Sequence, residues 1–287
     1  MNMPFYVAPE QVMKDRADYA RKGIARGRAL VAVRYADGIA IVSENSSETL
    51  RKVAEIYDRI AFAGVGKYNE FDQLRVAGVR AADLKGFQYS RDDVDARSLA
   101  NQYAQILGQI FTHEMKPMEV EILVAEVGHE SAGDQMFHIL YDGTVFDHRD
   151  YTVLGGDADA IGTRLAESFT PELDLAAAVQ AGTAALGGDE RQIPARDLEV
   201  AVLARGNGRR CFHRLADDQV AEMLGGDGPS DDGAAEGAAR RPVPADTPPA
   251  GHTNPDETLT TDDADSELAP GGSSGSDGTT ATTADDG

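Results

Sequence analysis

The sequence predicts an α+β protein in which two β-sheets pack face to face between layers of helices. Blocks of strands and pairs of helices alternate along the chain, which favours segregated layers over a regular parallel βαβ repeat. Tight-turn signals join neighbouring strands, as antiparallel hairpins require. Once a polar C-terminal tail is set aside, about 220 residues remain, which is enough for one domain with a substantial core.

The tail, residues 225–287, consists mostly of Gly, Pro, Ser, Thr, Ala and Asp. It carries fourteen acidic side chains against two arginines, so −12 of the formal net charge of −22 lies there. Such a segment has too little apolar surface to offset the entropy lost on ordering. We therefore expect a disordered acidic tail after a folded domain that spans residues 9–224.

The first predicted elements are a helix and a hairpin. Pro9 and Glu10 are typical of a helix start, and the helix should continue to about Lys22. The next element follows from Asp37-Gly38, which lies between two apolar runs and predicts a tight turn between antiparallel strands.

Three helices and a strand are expected next. Apolar residues at helical intervals predict a helix over about residues 46–60, which leads into a strand, "IAFAGVG". Two longer helices follow, over about residues 67–84 and 99–111. The second has a clear apolar stripe, and Pro117 prevents its continuation.

The second half of the chain repeats this alternation. The strands "VEILVAEVG" and "QMFHILYD" should pair, and Asp142-Gly143 predicts a hairpin into "TVFDH". After "YTVLGG", two helices are expected over about residues 157–169 and 173–186. The strands "DLEVAVLARG" and "RCFHRL" and the helix "ADDQVAEML" complete the domain.

No independent catalytic or metal-binding motif is visible in the sequence. Gly66-Lys67 resembles part of a phosphate-binding loop, but the pattern requires Gly at Ala61 and Ser or Thr at Tyr68. The six histidines and Cys211 lack the spacing of metal ligands, so neither a metal nor a cofactor is predicted. The sequence has no G-x-S-x-G nucleophile motif, and no obvious base lies near the single cysteine.

A basic cluster of Arg21, Lys22, Arg26 and Arg28 stands out in this acidic chain. An acidic protein is poorly suited to phosphate backbones, and no supporting basic surface is evident. A helix C-terminus, where cations are favoured, explains the cluster better than a nucleic-acid-binding arm. A single cysteine and the lack of a secretory signal or a long apolar segment indicate a cytoplasmic protein without a membrane anchor.

Long stretches of the chain resemble one known family, the α-subunits of the actinobacterial proteasome core particle. The resemblance covers about residues 4–224, in order. It rests on the segments "FYVAPEQVMKDRADYARKGIARGRALVAVRYADGIAIVSEN", "LRKVAEIYDRIAFAGVGKYNEFDQLR" and "LANQYAQILGQIFTHEMKPMEVEILVAEVG".

The resemblance implies a four-layer αββα sandwich of the Ntn-hydrolase type with an extra N-terminal helix. In the catalytic β-subunits of that family, a threonine at the start of the first strand is the N-terminal nucleophile, and its own amine is the base. Here Arg28 occupies that place, with twenty-seven residues before it. The resemblance therefore implies a subunit without a catalytic residue, whose proteolytic partner is a β-subunit.

The resemblance also implies two sites. Residues 1–8 would form a gate at the axial entrance of a seven-membered ring. The expected gate residues are Pro4, Phe5, Tyr6, Val7 and Ala8, together with Pro9 and Tyr19, which resemble residues that support the gate in relatives. Lys52, expected on the helix after "SEN", and Gly27 would line a pocket for activators. There the lysine would pair with the terminal carboxylate of an inserted tail.

The function expected from the sequence is that of a non-catalytic α-subunit. Its partners would be β-subunits, neighbouring α-subunits, the C-terminal tails of a ring-shaped ATPase, and unfolded substrates tagged with a Pup-type modifier. A self-processing Ntn-type amidohydrolase is the alternative, and it requires a cut that exposes Thr, Ser or Cys at a strand start. A nucleic-acid-binding oligomer, the third possibility, would bind DNA in a strongly salt-dependent manner.

Overall fold

The computed structural model describes residues 8–189 and 191–225, so the expectations for Pro4 to Val7 and for residues 226–287 lie outside the described residues. Within these ranges the chain forms six α-helices and ten β-strands. The helices are α1 Pro9–Ile24, α2 Tyr68–Gln88, α3 Ala96–His113, α4 Ala158–Ser168, α5 Leu175–Gly187 and α6 Asp217–Met223. The strands are β1 Leu30–Tyr35, β2 Gly38–Glu44, β3 Val53–Tyr57, β4 Ile60–Gly66, β5 Val120–Glu126, β6 Gln135–Ile139, β7 Val145–His148, β8 Tyr151–Leu154, β9 Leu198–Ala204 and β10 Phe212–Arg214.

The strands form two antiparallel sheets of five strands each. The first sheet has the order β10-β9-β2-β1-β8, and the second has the order β3-β4-β5-β6-β7. One apolar core lies between the sheets and contains inward-facing residues of both, such as Leu30 and Ile41 from the first and Ala63 and Leu123 from the second. Alternate residues on each strand point to the opposite face, where helices cover them.

Two further cores join the helices to the outer faces of the sheets. Helices α4, α5 and α6 pack on the first sheet around side chains such as Val42 and Leu165. Helices α2 and α3 pack on the second sheet, where Phe62, Tyr103 and Leu107 are buried. The layers therefore run helix, sheet, sheet, helix, which confirms the αββα sandwich expected from the sequence.

Helix α1 lies outside these four layers and packs against the inter-sheet core through Ala20 and Ile24. Its start and end follow elementary rules. Pro9 occupies the first turn, where a missing N–H is harmless, and Glu10 lies beside it. Arg21 and Lys22 lie in the last turn, where cations are favoured, so half of the basic cluster is the end of this helix.

The prediction of a helix over about residues 46–60 is wrong. Residues 53–57 form strand β3, which pairs with β4 along the edge of the second sheet. A bulge between Glu55 and Tyr57 shifts the register by one residue, so that Val53, Ile56 and Tyr57 are all buried. Ile56 and Tyr57 follow Val53 by three and by four residues, and residues at these two separations lie on one face of a helix. The bulge therefore gives this strand the apolar spacing of a helix, which explains why its sequence resembles that of a helix.

Candidate functional site

Lys52 lies on the segment that leads into β3, not on a helix. The loop before it is held by local hydrogen bonds: Asn45 Nδ2 donates to the Leu50 carbonyl at 2.8 Å, and the Leu50 N–H donates to Ser47 Oγ at 3.0 Å. The Lys52 N–H donates to Glu199 Oε2 on β9 at 2.9 Å. These contacts fix the backbone of Lys52 between β9 of the first sheet and the start of β3, the edge strand of the second sheet.

The ammonium group of Lys52 ties two chain segments together. Its Nζ donates to the carbonyl oxygen of Arg28 at 2.8 Å and to that of Glu44 at 3.0 Å. Burial lowers the pKa of this lysine to about 8, although the charges of Glu199 and Glu44 act in the opposite direction. Lys52 is thus a partly buried cation with two main-chain acceptors and a third donor position on its nitrogen.

Gly27 lies between the end of α1 and the start of β1, next to the residue that Lys52 contacts. Its N–H donates to the Ile24 carbonyl at 2.8 Å. A Cβ at this position would lie 3.0 Å from the Gly66 nitrogen and 3.2 Å from Val65 Cγ1, so the junction runs close against the end of β4. The structure therefore brings Gly27 and Lys52, which the resemblance paired, to the same end of the sandwich.

Two buried acids surround this lysine, and both are paired with arginines. Glu44 contacts Arg28 and also receives both terminal nitrogens of Arg191, at 3.0 and 3.1 Å. Burial would raise the pKa of Glu44, but the hydrogen bonds from Arg191 and the charge of Arg28 bring it below its ordinary value. Glu199, 2% exposed, pairs with Arg214 at 3.1 Å.

Sequence reasoning missed this network of acids and arginines. One signal was available for Glu199, because a charged residue inside the apolar strand "DLEVAVLARG" must find partners when it is buried. No comparable signal marked Arg191, which lies in a connection after α5 and contacts Glu44 from 147 residues away.

The expected gate residues that the structure describes lie on or next to α1. Ala8 precedes the helix and accepts hydrogen bonds from the Gln11 and Val12 N–H groups. Pro9 and Tyr19 are ten positions apart on the helix, or about 15 Å along its axis. The Tyr19 side chain is exposed and lies under the ammonium group of Lys116, with Nζ 5.7 Å from the ring centroid.

Arg28, which the resemblance places where a catalytic β-subunit would have its nucleophile, lies just before β1. The chain continues from Arg28 through Gly27 into α1, and what faces the Lys52 ammonium there is the Arg28 main-chain carbonyl. Across residues 8–189 and 191–225, no group of three His, Cys, Asp or Glu side chains could hold a metal ion. No helix in these ranges is long and apolar enough to cross a membrane.

The two antiparallel sheets between helical layers, with α1 across one end, define the class of the protein as an Ntn-hydrolase-type sandwich. Its family follows from comparison with known sequences. The family described as "Proteasome subunit" matches residues 24–202, and the chain belongs to that family.

Similar proteins are α-subunits from actinobacteria. The chain is 63% identical over 225 residues to "Proteasome subunit alpha" of Acidimicrobium ferrooxidans, with 78% of this chain and 97% of the relative covered. It is 54% identical over 254 residues to the protein of the same name from Nocardioides sp., with coverages of 87% and 100%. These similarities support a non-catalytic α-subunit of the proteasome core particle and do not favour a self-processing amidohydrolase.

Proposed function

We propose that this chain forms the outer rings of a cytoplasmic proteasome core particle, controls substrate entry and docks a ring-shaped ATPase. Membership of the family as an α-subunit implies assembly into rings with β-subunits, which would supply the threonine nucleophile. Substrates would be unfolded proteins, including those tagged with a Pup-type modifier. This chain would act by position and contact rather than by bond cleavage.

The single observation that carries the docking proposal is the environment of Lys52. Its ammonium is partly buried and keeps one donor position beyond the carbonyls of Arg28 and Glu44. The terminal carboxylate of an ATPase tail can accept a charge-assisted hydrogen bond at that position, which is stronger than a neutral one. Gly27 supports the same proposal, because the absence of a side chain lets the junction pack against the end of β4 and place the Arg28 carbonyl next to Lys52.

The proposed gate lies at the other end of α1 from this pocket. Lys52 holds the Arg28 carbonyl, and Arg28 follows the junction that ends α1, so a ligand on the lysine acts on the base of the helix. The helix begins at Pro9, directly after the proposed gate residues. We propose that tail docking shifts α1 and thereby moves residues 1–8 away from the entrance.

Substitution of Lys52 by Ala tests the docking proposal. In assembled particles with β-subunits, Lys52→Ala should raise the dissociation constant for the ATPase tail at least tenfold, because a partly buried charge-assisted contact is lost. The measurement is fluorescence anisotropy with a labelled peptide of the last ten ATPase residues. Lys14→Ala, on the exposed part of α1, is the matched control. Unchanged affinity of Lys52→Ala particles that assemble normally would overturn the docking proposal.

A further inference from the structure

Glu44 is held between two arginine side chains that come from distant parts of the chain. It is the last residue of β2, and its side chain is 11% exposed. Arg191, from the connection after α5, donates from both terminal nitrogens to the two carboxylate oxygens, at 3.0 and 3.1 Å. Arg28, in the junction between α1 and β1, contacts the first of these oxygens. The carboxylate is therefore fixed by a bidentate pair and a second cation.

The same residue also contacts the docking lysine, but through its main chain. The Glu44 carbonyl accepts a hydrogen bond from Lys52 Nζ at 3.0 Å. The carboxylate of Glu44 is thus attached by a few covalent bonds to an atom that touches the ammonium group. A group tethered at this range competes at a very high effective concentration with any ligand from solution.

The other acid near Lys52 is Glu199, and its carboxylate is held by several hydrogen bonds that do not involve the ammonium group of the lysine. Glu199 accepts from the main-chain N–H groups of Lys52 and Val53 at 2.9 and 3.3 Å and from Arg214 at 3.1 Å. Asn45 Nδ2 adds a fourth contact at 2.7 Å. These four contacts fix the position of the Glu199 carboxylate. Glu44 is the acid whose side chain is held by two half-exposed arginines.

We propose that Arg191, together with Arg28, is a positioning residue of the docking site that keeps the Glu44 carboxylate away from Lys52. The inference rests on the proposed function of Lys52 and adds a specificity device to it. With Glu44 held by the arginines, the third donor position of the ammonium remains open to the terminal carboxylate of a tail. If Arg191 were lost, the Glu44 side chain would turn to the lysine and act as an internal competitor.

A second effect works in the same direction. An incoming carboxylate meets the negative charge of Glu44 close to its own binding position, and like charges at this range oppose binding. The bidentate contact with Arg191 neutralises that charge where it lies. Arg191 would thus favour a charged chain terminus over a neutral one without touching it.

The test is a double-mutant cycle in assembled α/β particles. Arg191→Gln should raise the dissociation constant for the ten-residue ATPase tail peptide about fivefold, as expected for a half-exposed charge. Adding Glu44→Gln to this variant should restore wild-type affinity, because the internal competitor has then lost its charge. The C-terminal amide of the same peptide, which lacks the carboxylate, should bind weakly to all variants and show no effect of Arg191→Gln.

Two controls separate this inference from the function on which it rests. Arg209→Gln removes an exposed arginine that pairs with Asp58, away from Lys52, and should not change tail affinity. Lys52→Ala should abolish tight binding. If Lys52→Ala loses binding but Arg191→Gln does not, the inference is overturned and the docking function stands. Weakening by Arg191→Gln that Glu44→Gln does not restore would also overturn it, because Arg191 would then contact the tail directly. Full binding by Lys52→Ala would overturn both.

Discussion

Lys52 shows how one residue acquires an unusual property from its surroundings. A lysine on a solvent-exposed helix would keep a pKa near its ordinary value. Here the side chain enters a partly buried position at the start of β3, and burial lowers the pKa to about 8. The lysine is therefore charged at neutral pH but loses its proton within the range in which many proteins remain folded.

This pKa predicts a pH dependence of docking. The tail carboxylate pairs only with the protonated lysine, so affinity should be constant up to about pH 7 and should fall as the pH rises through about 8. The measurement is tail-peptide anisotropy between pH 6.5 and 9.5. Lys52→Arg is the control, because a guanidinium stays charged throughout this range and any remaining binding should be independent of pH. A flat wild-type profile would contradict the assigned role of Lys52.

The same lowered pKa also bears on stability. A folded state in which Lys52 has a pKa of about 8 binds fewer protons above that pH than the unfolded chain, in which the lysine titrates near 10.5. Stability from this group therefore increases as the pH rises from about 8 to about 10.5. As the pH rises through about 8, the affinity for the tail should therefore fall, whereas the stability of the folded subunit should increase.

Among the elements, the junction between α1 and β1 is the place where close packing and the proposed site meet. Gly27 fits there because a Cβ with ideal geometry would lie only 3.0 and 3.1 Å from backbone atoms of Gly66 and Ile24. Main-chain atoms of a strand or a helix cannot move aside as a flexible side chain can.

Gly27→Ala should therefore destabilise the subunit by about 1–3 kcal/mol, as overpacking does in other tightly packed sites. It should also weaken tail binding, since the junction that carries the Arg28 carbonyl would shift. The measurements are urea denaturation and peptide anisotropy. Gly206→Ala is the matched control, because a Cβ there meets no atom within 4 Å, and its effect should stay within about 0.5 kcal/mol. Equal stability of the two variants would show that the junction can relax.

The elements also show what a sequence can and cannot predict. Strands with tight turns, such as the hairpin at Asp37-Gly38, and the α3 stripe ending before Pro117 are predictable because their signals are local. Strand β3 escapes prediction because a bulge gives it helical spacing. The location of Lys52 and Gly27 at one end follows from resemblance. The contact of Glu44 with Arg191 could not be predicted, because it depends on how β2 and a distant connection meet in three dimensions.

On the scale of the whole molecule, the layers separate packing from the proposed function. The αββα core needs the sheets and helices α2 to α6, whereas α1 lies across one end and contacts the core through a few residues such as Ala20 and Ile24. Lys52, the proposed docking residue, contacts the Arg28 carbonyl shortly after the end of α1, and the proposed gate precedes the first residue of this helix. A change at the base of this helix can therefore reach the gate without disturbing the sandwich.

This arrangement makes the gate separable from the fold. Helix α1 has no side-chain cap, and its first hydrogen bonds go to the Ala8 carbonyl. Deleting residues 1–7 leaves that carbonyl in place, so α1 and assembly with β-subunits should persist. The deleted residues would no longer obstruct the entrance, and hydrolysis of a short fluorogenic peptide by the assembled particles should become several-fold faster without an activator.

Deleting residues 226–287 is the matched control for this experiment. The acidic tail follows α6, at the opposite end of the sequence from the proposed gate, and its removal should leave peptide turnover unchanged. Native mass spectrometry of both deletions checks that the particles contain the same subunits as the wild type. Because the gate is proposed to be a steric barrier, the increase in hydrolysis rate should appear at limiting peptide concentration. The increase should be smaller for a fluorogenic substrate that contains a single amino acid. Unchanged turnover of intact particles lacking residues 1–7 would show that these residues do not close the entrance.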